Sequence, residues 1–98
     1  MTAAQSKIYV VDDDQHIHEY LRNVFKNAAI QSEHFSEPKS FLLRLKEALP
    51  AACMIDLRFE GVSSGFQLIQ AVRNFAGLAL PIIVISSAND SESVAHAF

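Results

Sequence analysis

The sequence predicts an α/β protein of the doubly wound kind, a parallel sheet with helices on both faces. Three observations carry that prediction. Short apolar runs alternate with helical stripes in the order β-α-β-α-β-α-β-α. Most of the strand candidates are apolar along their whole length, as strands covered on both sides are. Three of them stop at Asp or Ser, at the edge where an open parallel sheet gathers its ligand-binding groups.

The first strand is Ile8-Tyr9-Val10-Val11, β-branched and aromatic, ended by Asp12-Asp13-Asp14. Ile17, Tyr20, Leu21, Val24, Phe25 and Ala28 then recur at helical spacing, opposite Glu19, Arg22, Asn23 and Lys26, and define a first amphipathic helix. Asp14 is placed to cap it. A weaker strand is expected near Ile30–Phe35. Ser36-Glu37-Pro38 reads as a helix start with Ser36 as the cap, followed by the stripe Phe41, Leu42, Leu45 and Leu49 and a stop at Pro50. The third strand, Ala52–Ile55, is stopped by Asp56. After a Gly/Ser loop at Ser63-Ser64-Gly65, Phe66, Leu68, Ile69 and Val72 describe a third helix. Pro81 opens a fourth strand, Ile82–Ile85, which ends at Ser86-Ser87. Asp90–Phe98 reads as the beginning of a fourth helix.

Length and composition remove several function classes. Ninety-eight residues make one domain, 50% hydrophobic and 19% charged, which is globular composition. The longest apolar run, Leu78–Ile85, is broken by Pro81 and falls far short of the roughly 18–20 residues of a membrane span. No secretory signal is legible at the N-terminus. Cys53 is the single cysteine, so no internal disulfide forms. A net charge of −3 without a basic run speaks against a nucleic-acid surface. The expected setting is a small cytoplasmic domain away from membrane and nucleic acid.

The strand ends carry the chemistry. Asp12 and Asp13 follow strand one, Asp56 follows strand three and Ser86 follows strand four, so the fold predicts that residues distant in sequence are neighbours. At an effective dielectric near 20, two ionised carboxylates ~4–5 Å apart repel by about 3–4 kcal/mol. A hard divalent cation such as Mg²⁺ offsets that repulsion, because it takes a few carboxylates together with waters and phosphate oxygens. A carboxylate beside such an ion can attack a phosphoryl group. Any one of these aspartates alone is more simply a turn or cap residue; the joint pattern favours a site.

At these residues the sequence resembles the receiver domain of two-component response regulators, over Lys7 to Phe98. Val10-Val11-Asp12-Asp13-Asp14 is similar to the family's acidic pair, Cys53-Met54-Ile55-Asp56-Leu57-Arg58 to its phosphoacceptor strand, and Pro81 to Ser87 to its fourth strand with the switch hydroxyl. Ser36–Leu49 and the segment around Arg58 are most similar to the branch that often carries a helix-turn-helix output domain. The resemblance implies a flavodoxin-like fold and phosphorylation of Asp56 by a sensor histidine kinase. It also implies Mg²⁺ held by Asp13 and Asp56 directly, by Asp12 largely through water and by the Arg58 backbone carbonyl. Ser86 would turn inward onto the phosphoryl group. Beyond self-phosphorylation and self-dephosphorylation the domain is not expected to be an enzyme.

The sequence departs from that family pattern in the loop after Asp56. Glu60 stands where a proline is usual, and Gly65 falls one position late. The family's fifth strand, fifth helix and the lysine that pairs with the phosphoryl group would lie beyond Phe98, so residues 1–98 are read as one receiver domain, C-terminally incomplete. Its fourth strand would then be an open edge, and dimerisation through the fourth strand and helix is the expected remedy. The alternative reading is a degenerate receiver, never phosphorylated, that serves as a protein–protein interaction or dimerisation module. A phosphohydrolase with an aspartyl intermediate ranks below both, because His16 stands where that class has Thr or Val. His16 and His18 are two apart on a helix, too poorly aligned to share a metal, and are placed on the solvent side. His34 and His96 are placed on the surface. Cys53 is read as a buried hydrophobe, and Phe25, Phe41, Phe66 and Phe75 as core.

Overall fold

The computed structural model describes residues 7–56, 65–85 and the backbone of residues 96–97. The chain runs β1 (Lys7–Val11), α1 (Gln15–Asn27), β2 (Gln31–Phe35), α2 (Pro38–Glu47), β3 (Ala52–Asp56), α3 (Gly65–Ala76), β4 (Ile82–Ile85) and β5 (His96–Ala97). The sheet order is β2-β1-β3-β4-β5. β1 to β4 pair in parallel, as the sequence predicts. The chain leaves β1 toward β2 and then returns to build β3 and β4 on the other side. The order therefore reverses beside β1, and ligands bind at such a switch point.

The end of the chain differs from expectation. His96 and Ala97 pair antiparallel with Val84 and Ile83, so these two residues are strand rather than helix; residues 90–95 and Phe98 lie outside the described residues. The physical reason is the open edge of β4: its unpaired N–H and C=O groups are a template for any returning segment. The expectation that Ile82–Ile85 is wholly unpaired on that side is corrected accordingly.

Successive strand residues face opposite sides of the sheet, and the register aligns Tyr9, Cys53 and Ile82 in one row and Val11, Ile55 and Val84 in the next. These six residues are at most 1% exposed. They form one core with Phe41 and Leu45 of α2, with Leu68, Ile69 and Val72 of α3, and with Leu80. The rings of Tyr9, Phe35 and Phe41 meet edge to face with centroids 5.5–6.3 Å apart, which suits their quadrupoles. Met54 and Ile83, on the other face, are only half-buried. α1 is the described helix there, and it covers that face in part.

Helix boundaries follow local chemistry. The Asp14 side chain accepts from the backbone N–H of His16 at 2.9 Å and caps α1 as expected. At its other end Ile30 N–H reaches Phe25 O and Ala29 N–H reaches Lys26 O, a Schellman closure with Ala29 in the left-handed region at φ 60°. α2 starts at Pro38, whose fixed φ suits the first helical position. Its cap is Glu37, without a side-chain bond, instead of Ser36. α3 stops at Gly77, φ +81°, where Arg73 Nη1 donates to Gly77 O and Leu80 O at 2.9 and 2.6 Å.

Several residues on the predicted stripes are exposed: Tyr20 and Val24 on α1, Leu49 after α2, and Phe66 and Phe75 on α3. The buried line of α3 is Gly65, Leu68, Ile69 and Val72, and both phenylalanines fall on its flanks. In α1 the buried residues are His18 and Phe25. The line is rotated one residue from the 17-20-24 row, so a histidine occupies a core position that hydropathy assigns to solvent.

Candidate functional site

The C-terminal ends of β1 and β3 place Asp12, Asp13 and Asp56 together. One carboxylate oxygen from each lies within 4.8 Å of the others. Asp12 is 3% exposed and Asp56 9% exposed, whereas Asp13 opens to solvent. Two central, adjacent strands deliver the acids, so rigid elements set their separation. Arg58 and Ser86 lie outside the described residues, as does the loop containing Glu60.

Asp12 is fastened at three points. Its N–H donates to Phe35 O at 3.0 Å, its Oδ1 accepts from Asp14 N–H at 2.9 Å, and its carbonyl lies 2.6 Å from His18 Nε2. Burial pushes its pKa up to about 6. The Asp14 N–H bond opposes that rise, and the charges of Asp56, Asp13 and Asp14 add to it. Asp12 therefore resists ionisation, as a carboxylate buried beside other acids does.

The donor set fits Mg²⁺: three carboxylates, hard oxygen donors on two strands. Oxygens bound directly at roughly 2.0–2.1 Å lie at most about 4.2 Å apart. A spread of up to 4.8 Å suits an ion held directly by two of the acids and through water by the third.

The histidines correct the reading from sequence. His16 is exposed, but His18 is 1% exposed. His18 Nδ1 lies 2.8 Å from Nδ1 of His34, which is half-buried and not on the open surface. The two could not be paired from sequence, because they meet only when α1 packs across β2. The one legible signal was the helical offset of His18 from Phe25, two turns apart on a single line. Cys53 is fully buried and its thiol is pushed up to about 12 by that burial, so it is inert.

A sheet in this order, parallel through β1 to β4 with helices packed on it and an acidic cluster over the switch point, defines a doubly wound α/β domain. Comparison with known proteins specifies the class. The family model for the response regulator receiver domain matches residues 8–98, and the chain belongs to that family. Receiver domains are signalling domains rather than classical enzymes, and they typically use Mg²⁺ at an acidic pocket.

The chain is 30% identical over 96 residues to the transcriptional regulatory protein TdiR of Thauera aromatica, covering 98% of this chain and 41% of TdiR. It thus spans about two fifths of the length of that curated relative. Among solved structures it is similar to a response regulator receiver protein from Pseudomonas putida. That likeness has a TM-score of 0.78 and 30% identity, over 93% of this chain and 75% of that one. The Vibrio cholerae chemotaxis protein CheY4 superposes with a TM-score of 0.79 at 22% identity, over 91% of this chain and 74% of that one, a likeness of fold.

Proposed function

We propose that residues 1–98 act as a phospho-accepting receiver unit, in which Asp56 takes a phosphoryl group from a histidine kinase with Mg²⁺ at the pocket. The convergence of Asp12, Asp13 and Asp56 carries this reading. A carboxylate oxygen of Asp56 attacks phosphorus in line as the donor's bond to phosphorus breaks. The donor's imidazole leaves with the electron pair, and an acyl phosphate remains on Asp56. Bound Mg²⁺ supplies positive charge beside the transferring oxygens. Asp13 and Asp56 would hold the ion directly, Asp12 largely through water, and Arg58 through its carbonyl; Ser86 would hydrogen-bond the phosphoryl group. Slow self-phosphorylation by a small phosphodonor and self-dephosphorylation follow from the same pocket.

A cytoplasmic setting agrees with a kinase partner, and no described helix is long and apolar enough to cross a membrane. The name of TdiR, a transcriptional regulatory protein, supports a role in transcriptional regulation. Dimerisation through the fourth strand rests on an open β4 edge. The pairing of Ile83 and Val84 with β5 occupies part of that edge; sedimentation at micromolar concentration decides between dimer and monomer.

The test is intact-mass spectrometry after incubation with acetyl phosphate, with and without Mg²⁺. The reading expects a Mg²⁺-dependent gain of one phosphoryl group that maps to Asp56. No gain, with a histidine kinase also failing as donor, favours the degenerate receiver that works by binding alone.

A further inference from the structure

A line of hydrogen bonds runs from β2 through the buried histidines to the acidic pocket. Ser32 Oγ is 3.0 Å from His34 Nε2, His34 Nδ1 is 2.8 Å from His18 Nδ1, and His18 Nε2 is 2.6 Å from the Asp12 carbonyl oxygen. The chemistry of the endpoint fixes the first donor. A carbonyl only accepts, so His18 Nε2 carries a proton and donates. One proton lies between His18 Nδ1 and His34 Nδ1. His34 Nε2 and the Ser32 hydroxyl share the last bond of the line. Every ring nitrogen is used, and the two rings stand nearly perpendicular, 83° between planes. Burial and the neighbouring His18 hold the His34 pKa down to about 4, consistent with a neutral ring.

The bond ends on the peptide that joins Asp12 to Asp13, the link at which the chain leaves the sheet. That peptide's orientation sets where Asp13 stands relative to Asp12. A leucine in place of His18 would fill much the same space between α1 and β2 but could not hold the carbonyl.

We propose that His18, oriented from behind by His34 and Ser32, is a positioning residue that fixes the Asp12–Asp13 peptide and so sets the geometry of cation binding. The inference rests on the Mg²⁺ pocket proposed above. Outer partners of metal ligands act this way, and their loss typically weakens metal binding by roughly 10–100-fold.

The test is Mg²⁺ titration of the whole chain, followed by amide NMR shifts and by ¹⁵N shifts of the histidine rings. In the wild type, Mg²⁺ should move the His18 Nε2 resonance, because ring and pocket share the Asp12 carbonyl. His18→Leu should weaken Mg²⁺ binding about tenfold, and His18→Gln, whose amide N–H can take the place of Nε2–H, should restore it to within about threefold. A His18→Leu protein that loses stability but binds Mg²⁺ as the wild type does overturns the proposal, leaving His18 a packing residue. Should the leucine variant fail to fold, a His18 resonance that does not move on Mg²⁺ binding to the wild type overturns it equally. A wild type that binds no Mg²⁺ overturns the pocket itself and this inference with it, an outcome distinct from binding that ignores His18.

Discussion

Asp12 and Glu33 are both carboxylic acids packed against one sheet, and the protein treats them in opposite ways. Glu33, on edge strand β2, receives Arg44 Nε and Nη2 at 2.9 and 3.0 Å and Lys7 Nζ at 2.8 Å. Those bonds, Arg44 first and Lys7 second, hold its pKa down to about 2. Asp12, at the end of β1, is pushed up to about 6 by burial and by its acidic neighbours. A carboxylate that the fold satisfies is a structural part. One that the fold buries among other acids is kept at a cost to stability, and such a carboxylate is a candidate for function.

The largest expected effect is on Asp56. Asp56→Asn removes the proposed phosphoacceptor and should abolish phosphoryl incorporation from acetyl phosphate, read by intact mass, while the fold measured by circular dichroism persists. Next comes the sign of the two acids. Asp12→Asn removes an ionised group from a hostile site yet keeps an oxygen for Asp14 N–H. At pH 7.5 without metal it should raise unfolding free energy by roughly 2 kcal/mol, and it should weaken Mg²⁺ binding. Glu33→Gln should do the reverse, costing about 1 kcal/mol after allowance for screening at that edge, with Mg²⁺ affinity unchanged. Equal effects at both positions would dissolve the comparison. Denaturant melts with calorimetric Mg²⁺ titrations read both quantities.

Their pH dependences oppose each other too. Between about pH 4 and 6 the unfolded chain has lost the Asp12 proton that the folded chain keeps. Stability therefore declines as pH rises through that window. Glu33 contributes stability that is full above its unfolded value near 4.5 and is lost as pH falls toward about 2. In metal-free buffer Asp12→Asn should flatten the first limb and Glu33→Gln the second. The smallest effect lies far from either acid. Ala29 is held at φ 60°, and Ala29→Gly should gain about 0.5–1 kcal/mol by relieving that strain, with phosphorylation untouched.

β1, β3 and β4 were legible because short apolar runs bounded by Asp or Pro leave few alternatives. Their ends predicted the grouping of Asp12, Asp13 and Asp56, since a parallel sheet aligns its C-terminal edges. What was not legible depended on rotation or on partners distant in sequence. A one-residue turn of α1 exchanges Tyr20 and Val24 for His18, and no hydropathy pattern nominates a histidine as core. His34 acquires its role only because α1 crosses β2. Glu33 looks like any surface acid until Arg44, a helix away, closes on it. The pairing of His96 and Ala97 with β4 is a tertiary event that overrides the helical spacing of the tail.

The contrast between the two acids predicts that a cation binds at the strand ends and not beside Glu33. Titrating the protein with Mn²⁺ as a paramagnetic substitute for Mg²⁺, and following amide line broadening, reads this directly. Broadening should centre on Asp12, Asp13 and Asp56, be displaced by Mg²⁺, and spare Glu33 and its neighbours. Broadening centred on β2 near Glu33, or spread evenly over the acidic surface, would contradict it.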